Sequence, residues 1–280
     1  MKRRFRTAAW AALALPLWLV AQDGKPPLSI EASAGGLDLP MEEMGGRPLV
    51  EVFLEGKGPY RFILDTGADI TVIDEDLAKQ LSLSAGRVEA LRLGEVTLRG
   101  VTVESQPLSN LLGSTDAPRG VLSAASFPGY LLVLDYPAKR IRIRKGDLPP
   151  ADSRTRFEYT REQVLPNVPL RVAGVEVRAH VDTGSPGALM LPSRYRAELP
   201  LAAEATQMGL ARTPHGEFPI WSGQIKGSVE LGQYQLDLPD VQFSDVNPLP
   251  GPPTGNLGYR ILRQFVVTLD SKNRRIQFDR

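Results

Sequence analysis

The sequence predicts an all-β protein built from two similar lobes, with a few short helices. Three observations predict this fold class: an internal duplication, short strand-like runs between turns, and many turn-forming residues. The 280 residues include 26 glycines and 24 prolines, which favour frequent turns over long helices. A chain of this length holds one large domain or two small ones with a substantial core.

The duplication covers nearly all of the chain beyond its amino-terminal leader. Two pairs of segments carry it, each aligned without a gap: 61–73 with 178–190, and 120–143 with 255–278. Between them, each half has a Leu-Gly pair followed by alternating apolar residues, at 93–94 and at 231–232. Each half therefore runs in the same order: Asp-Thr-Gly, a Leu-Gly hairpin, a Gly-x-Leu segment and a closing pair of strands.

Local patterns place the secondary structure. Short alternating or β-rich runs predict strands over 49–54, 60–64, 96–103 and 131–143. Proline-containing segments predict turns at 58–60 and 136–139. Short helices are expected over 74–81 and 192–199. The resulting domain boundaries are a signal peptide at 1–21, an amino-terminal extension at 22–36, a first lobe at 37–148, a linker at 149–154 and a second lobe at 155–280.

The first 21 residues resemble an export signal. Four basic residues precede an uncharged apolar stretch at 8–21, which is too short to cross a bilayer that needs roughly 20 residues. Ala21 offers a cleavage point. We therefore expect an exported bacterial protein, periplasmic or secreted, with no membrane span after cleavage. The alternative is an uncleaved leader that tethers the protein to the membrane.

Composition excludes several classes of function. Without residues 1–21 the chain has 29 basic and 32 acidic residues, a net charge of −3, and no basic patch typical of nucleic-acid binding. The absence of cysteine excludes disulfides and thiol nucleophiles. The two histidines, His180 and His215, lack a ligand pattern, so we expect no metal and no other cofactor.

Asp65 and Asp182, which open the two Asp-Thr-Gly tripeptides, are the candidate catalytic residues. Each follows an apolar run, and an aspartate at the end of a buried strand is costly unless it is hydrogen-bonded or functional. If the two halves face each other, one carboxyl keeps a proton while the other acts as a base. A water between them then becomes a nucleophile. The alternative is that both aspartates only cap turns.

The segment 64–69, Leu-Asp-Thr-Gly-Ala-Asp, followed by Thr-Val-Ile at 71–73, resembles the active-site segment of the retropepsin and pepsin superfamily of aspartic peptidases. Asn256-Leu257-Gly258 resembles the later apolar-apolar-Gly signature. Val121-Leu122-Ser123 is less similar, because Ser123 replaces the glycine. A Gly-Pro-Tyr-Arg-Phe run before the first loop is typical of bacterial exported retropepsin-like proteins. The resemblance covers about residues 37–280.

This resemblance implies a bilobal, pepsin-like fold in which each lobe is a small closed β-barrel. It implies that Asp65 and Asp182 are catalytic, and that the lobes pair within one chain, so that a monomer suffices. The threonines of the two loops would brace them and the glycines would permit their close approach. These supporting residues are Thr66, Gly67, Thr183 and Gly184.

The resemblance also marks residues for substrate binding. Asp69 matches a residue that contacts the substrate backbone, whereas its counterpart Pro186 cannot, so recognition should be asymmetric. The alternative for Asp69 is an exposed turn residue. His180 lies two residues before Asp182, on the same side of the strand, where the resemblance implies a substrate pocket. The alternative for His180 is a hydrogen-bonded residue at the lobe interface.

A longer hairpin over 206–226, which contains Gly209, His215 and Trp221, is expected to be the flap that closes over the substrate. The first half has only the short segment 82–90 available for this role. The alternative is an ordinary surface loop.

Together these features favour an aspartic endopeptidase that cleaves an extended polypeptide outside the cytoplasm. A second hypothesis is an inactive peptide-binding protein of the cell envelope that retains the cleft. A third is a dormant precursor in which residues 22–48 occupy the cleft.

Overall fold

The computed structural model describes residues 28–33, 35–83, 86–108, 117–159, 165–213, 216–238, 240–245 and 254–280. Most of these residues lie in strands. The first half contains β1 (Ser29–Glu31), β2 (Leu37–Pro40), β3 (Glu42–Met44), β4 (Arg47–Leu54), β5 (Lys57–Asp65), β6 (Thr71–Asp74), β7 (Arg87–Leu93), β8 (Val96–Gln106), β9 (Gly120–Ser123), β10 (Tyr130–Asp135) and β11 (Arg140–Lys145). The second half contains β12 (Arg156–Glu158), β13 (Asn167–Val172), β14 (Val175–Val181), β15 (Leu189–Leu191), β16 (Thr206–Thr213), β17 (Gly216–Gln224), β18 (Val229–Leu231), β19 (Tyr234–Leu236), β20 (Asp240–Phe243), β21 (Gly255–Leu257), β22 (Val266–Asp270) and β23 (Arg275–Asp279).

The first lobe is a sheet that closes on itself. Its strands run in the order β1-β8-β6-β9-β5-β4-β3, and β7 pairs with both β4 and β8. The ring β4-β5-β9-β6-β8-β7 is therefore a closed six-stranded barrel, which removes most of the free sheet edge. Its interior is filled by fully buried side chains such as Leu54, Leu64 and Leu91.

The second lobe is a nine-stranded sheet in the order β16-β17-β20-β15-β21-β14-β13-β18-β19. The two end strands, β16 and β19, are not paired with each other in the described part of the chain. The all-β, two-lobed fold is confirmed, but the closed ring expected in both lobes is seen in the first, and the second sheet stays open among the described residues.

A third sheet joins the lobes. Its six strands run β12-β23-β22-β10-β11-β2, an order that is symmetric about the central antiparallel pair of β10 and β22. Val133 lies opposite Thr268 in that pair, and these two residues are equivalent under the offset of 135 between the repeats. The pseudo-twofold axis of the duplication therefore passes through this sheet.

The turns follow the repeat as well. The predicted Leu-Gly hairpins are confirmed, with φ of +54° at Gly94 and +55° at Gly232, a region that favours glycine. The turn predicted at 58–60 is wrong, because these residues belong to β5. The chain reverses instead at Glu55 and Gly56, which adopt φ of +49° and +78°.

Short helices connect the strands. The prediction of a helix over 74–81 is confirmed by α1 (Glu75–Leu81), whose N-cap Asp74 accepts a hydrogen bond from Leu77 N at 3.2 Å. The segment predicted as 192–199 contains the shorter α2 (Tyr195–Glu198), and α3 (Tyr259–Leu262) follows β21. Among the described residues, no helix has the length and apolar character required to cross a membrane.

Candidate active site

Two strands deliver the Asp-Thr-Gly loops to one place between the lobes. β5 ends at Asp65 and lies parallel to β9, with Asp65 opposite Ser123. β14 lies parallel to β21, and directly after it Asp182 N donates to Leu257 O at 3.0 Å. Both loops therefore begin where an apolar strand, held by a parallel neighbour, leaves the core.

The threonines lock the two loops together across the lobes. Thr66 N donates to Thr183 Oγ1 at 3.0 Å, and Thr183 N donates to Thr66 Oγ1 at 3.2 Å. The Thr183 hydroxyl donates to Leu64 O at 2.8 Å, and the Thr66 hydroxyl donates to Val181 O. Both threonines are buried, so these bonds satisfy polar groups that have no access to water.

The glycines bring the carboxylates face to face. A Cβ atom at Gly67 would lie 2.6 Å from Asp182 Oδ1 and 3.1 Å from Asp65 Oδ1. A Cβ atom at Gly184 would collide with Asp65 Oδ2. No side chain fits at either glycine, and one oxygen of each carboxylate lies within 3.1 Å of the same point beside Gly67. The structure thus brings together the six residues that the two tripeptides contribute.

Burial shapes the ionisation of the pair. It raises the pKa of Asp65, against hydrogen bonds to Oδ1 from Gly67 N at 2.7 Å and Gly184 N at 3.2 Å. Burial also raises the pKa of Asp182 to about 7, and the negative charge of Asp65 adds to this effect. The pair therefore retains a proton below about pH 7. A retained proton beside a second carboxylate is what general acid–base chemistry on one water requires.

Arg47 is a site residue that sequence reasoning missed. Its Nε donates to Gly184 O at 2.8 Å, so the first lobe holds the loop of the second. Its positive charge also lowers the pKa of both Asp65 and Asp182, which partly offsets their burial. The sequence feature that could have indicated this role is a basic residue directly after the Gly45-Gly46 turn, at the start of the first long strand.

Asn256 was missed as well. Its Nδ2 donates to Asp182 Oδ2 at 3.0 Å, whereas the equivalent position of the first half, at the offset of 135, is Val121. The two carboxyls therefore differ in their hydrogen bonding. A polar residue in the middle of a short apolar strand was the available signal, because such a group needs a partner when buried.

Ser123, which replaces the glycine of the signature, is accommodated by hydrogen bonds. Its hydroxyl donates to Ala68 O at 2.7 Å, and its N–H donates to Thr71 Oγ1 at 3.1 Å. At the equivalent Gly258, a Cβ atom would lie 2.7 Å from Gly187 O. The serine thus holds the first loop where the second loop leaves no space for a side chain.

Asp69 and His180 occupy different environments. Asp69 is exposed and lines a cavity beside the first loop, which is compatible with its predicted contact with substrate. His180 is only 4% exposed, and its Nδ1 is buried without a hydrogen-bond partner among the described residues. The prediction that His180 lines a substrate pocket therefore does not match the structure. Burial lowers the pKa of His180, and its alternative role as a hydrogen-bonded residue at the lobe interface stays a prediction.

The long hairpin is present as β16 and β17, which pair from Thr206 with Ser222 to Thr213 with Gly216. Gly209 lies at a bulge in β16 and has open space around it. Trp221 lies near the base, where the Arg196 guanidinium is 3.8 Å from its ring centroid. Trp221 thus anchors the hairpin, and a flap role for the hairpin stays a prediction. His215 lies outside the described residues.

The polar side-chain groups that could contact a metal or cofactor at the site are two carboxyls, an amide and a guanidinium. Within the described ranges, no cluster of three or more histidine, cysteine, aspartate or glutamate side chains is placed to hold a metal ion.

Comparison with known proteins agrees with this geometry. The model of the family described as aspartyl protease matches residues 50–89 and 168–261, one segment in each half. A comparison with curated proteins gave no significant match. Each matched segment contains one of the two Asp-Thr-Gly loops that meet between the lobes, so the chain is similar to the aspartyl protease family and has a retropepsin-like construction.

Proposed function

We propose that the protein is an aspartic endopeptidase that uses Asp65 and Asp182 to activate a water molecule. The observation that carries this proposal is the convergence of the two carboxylates across Gly67 and Gly184, with a pKa of about 7 at Asp182. The match of the aspartyl protease family model to both Asp-Thr-Gly segments supports the same reaction class.

The chemistry follows from one shared proton. The ionised carboxylate accepts a proton from water as its oxygen bonds to the peptide carbonyl carbon, and the protonated carboxyl donates to the carbonyl oxygen. The tetrahedral diol then collapses: one diol hydroxyl gives its proton to the carboxylate that protonated the carbonyl oxygen, the carbon–nitrogen bond breaks, and the leaving nitrogen takes the proton that the other carboxyl accepted from water. Both carboxyls end in the states from which they can bind a new water.

An extended polypeptide is the proposed substrate. In the described residues two large hydrophobic side chains are exposed, Met208 at 67% and Leu210 at 50%, and both lie on β16. β16 is also the end strand of its sheet, so it offers unpaired backbone groups and an apolar side to an extended chain. We also propose that residues 1–21 direct export and that one chain acts as a monomer.

The decisive experiment compares the chain without residues 1–21 with its Asp65→Asn and Asp182→Asn variants on a mixed peptide library. Cleavage by the wild type and its loss in both variants supports the proposal. The wild type should also bind a peptide whose scissile amide is replaced by a hydroxyethylene group more tightly than the parent peptide, because that group resembles the diol. Capture of peptides without cleavage by the wild type would favour an inactive binding protein instead.

The third hypothesis, an occupied cleft, has less support. Residues 29–31, 37–40 and 42–44 are strands that pair with β8, β11 and β4. The described part of the amino-terminal segment is therefore used in the sheets. Appearance of a new amino terminus beyond residue 48 in the wild type, but not in Asp182→Asn, would reverse this conclusion.

A further inference from the structure

The two halves place different side chains beside their equivalent loops. On one side, Tyr136 and Tyr259 lie edge to face with ring centroids 6.0 Å apart. Tyr136 is only 4% exposed, and Tyr259 donates to Glu43 Oε2 at 3.0 Å. The offset of 135 between the repeats assigns Ser271 to the place of Tyr136 and Ala124 to the place of Tyr259. One side is thus filled by two aromatic rings, and its counterpart has two small residues.

A cavity lies beside the two small residues that are equivalent to the tyrosines. It has a volume of about 690 Å³, within the range of ligand-binding pockets. Both Ala124 and Ser271 line it, together with Thr66 and Ala68 of the first catalytic loop. Since Thr66 and Ala68 follow Asp65 closely, the cavity lies directly beside the first catalytic loop.

The cavity has an apolar floor and polar groups at its margin. Buried Leu165, Pro166 and Leu269 form part of the floor. Asp69 is exposed on one wall and has no hydrogen-bond or ion-pair partner in the described part of the chain. Arg274 also lines the cavity, and its Nε is buried without a partner among those residues. An apolar space with an exposed carboxylate acceptor at its margin suits an amphipathic ring that carries a donor.

We propose that this cavity is a specificity pocket for a tyrosine side chain of the peptide substrate, at a position separated from the scissile bond by at least one residue. The proposal rests on the proposed peptidase function. The ring would occupy the equivalent of the space that Tyr136 and Tyr259 fill on the other side of the pseudo-twofold axis, and its hydroxyl would donate to Asp69. Because Tyr136 and Tyr259 fill the equivalent space, the preference applies to one side of the cleavage site only.

The first test measures specificity. Peptides that differ only by tyrosine or alanine, placed two to four residues from the cut on either side, are compared by kcat/KM. The wild type should prefer tyrosine at one position by about tenfold or more, the size of effect that hydrophobic pockets give. Ser271→Tyr, which restores the residue of the other half, should bring this ratio close to one, whereas Ser271→Ala should retain it. Ala125→Phe, at the exposed margin, provides a second filling variant if Ser271→Tyr does not fold.

The second test separates this proposal from the peptidase function. Binding of N-acetyltyrosinamide and of the tyrosine peptide is measured on Asp65→Asn and on Asp65→Asn with Ser271→Tyr. Binding by the first protein and its loss in the second supports the pocket even if the wild type cleaves nothing, which would overturn only the peptidase function. Cleavage without any tyrosine preference, and without such binding, would overturn the pocket and leave the peptidase function intact. Binding of the small amide but not of the peptide would also overturn the proposal, because the occupant would then be a free aromatic molecule.

Discussion

The two aspartates of the site are chemically unequal although their loops share a tripeptide. Asp65 Oδ1 accepts from two backbone N–H groups, and Asp182 Oδ2 accepts from the side chain of Asn256. A donor stabilises the ionised form of a carboxyl and therefore lowers its pKa. We expect Asn256 to act on the pKa of Asp182 in this way, beside the backbone N–H groups of Gly184 and Ser185, which lower it.

This residue should set the alkaline limit of activity. In the wild type, kcat/KM should fall as the pH rises through about 7, where the pair loses its last proton. Asn256→Leu removes a donor to the charged form, so the pKa rises and the limit should move by about one unit to higher pH. The measurement is the pH profile of kcat/KM. Val121→Leu, at the equivalent position without a donor, is the control and should not move the limit, and an unchanged profile in Asn256→Leu would contradict the assignment.

The threonine lock makes a prediction about stability. Thr66→Ala leaves Thr183 N–H without its acceptor and Val181 C=O without the Thr66 hydroxyl, both in a buried place. The free energy of unfolding in urea should fall by about 1–3 kcal/mol for each unsatisfied group. Thr66→Ser keeps the hydroxyl and should lose much less. Equal losses in both variants would show that the methyl group, and not the hydrogen bonds, matters.

The sequence predicts those site residues whose role depends only on neighbouring residues of the same motif. The six tripeptide residues were found because each motif carries its own turn and hydroxyl. Arg47 and Asn256 were not found, because their partners Gly184 and Asp182 are 137 and 74 residues away. His180 was placed wrongly because strand alternation gives the side of the strand but not what covers it.

Among the elements, the hairpin of β16 and β17 combines an exposed outer strand with an anchored base. Met208 and Leu210 face solvent, while Trp221 stacks against Arg196 of α2. An arginine over a tryptophan ring contributes roughly 0.5–2 kcal/mol, depending on its exposure. The base is therefore held by α2, whereas β16 pairs with no strand other than β17 among the described residues.

Loss of the anchor should loosen the hairpin. Trp221→Ala removes the ring under Arg196, so backbone amides of β16 and β17 should exchange with deuterium faster, while those of β4 and β5 should not change. Hydrogen exchange with mass spectrometry measures this. Trp221→Phe retains a ring and should exchange at an intermediate rate. Identical exchange in all three proteins would mean that the pairing with β20 alone holds the hairpin.

The sequence predicted the elements that alternate or follow the repeat, such as the hairpins at Gly94 and Gly232. It failed at 58–60, where a proline suggested a turn. The positive φ of Glu55 and Gly56 determines the reversal there, and glutamate gives no compositional signal for such a conformation. The open second sheet was also beyond prediction, because closure depends on pairing between strands far apart in the chain.

For the whole molecule, the sheet shared by the lobes determines how they unfold. Its central strands β10 and β22 come from different halves and bury Val133 and Thr268 at the symmetry axis. The lobes therefore share hydrogen bonds and core, as well as the threonine lock. We expect them to unfold together in one transition.

A substitution that destabilises the first half should then also lower the stability of the second half. Trp221 is the one tryptophan beyond residue 21, so its fluorescence reports on the second lobe. Val133→Asp buries a charge in the shared sheet, and the urea midpoint of the Trp221 signal should fall together with that of far-ultraviolet circular dichroism. Arg144→Asp, on an exposed position of β11, is the control. A normal Trp221 midpoint in a protein whose dichroism midpoint has fallen would show that the lobes unfold separately.

The symmetric order of the shared sheet has a consequence for truncated chains. A polypeptide that ends near residue 148 would leave β10 as an unpaired edge strand. The strand that normally pairs with it, β22, is its equivalent in the repeat and has nearly the same geometry. Such an edge attracts another copy of itself. Proteolytic nicking between the halves followed by their separation would thus release fragments prone to self-association, whereas the intact chain satisfies that edge internally.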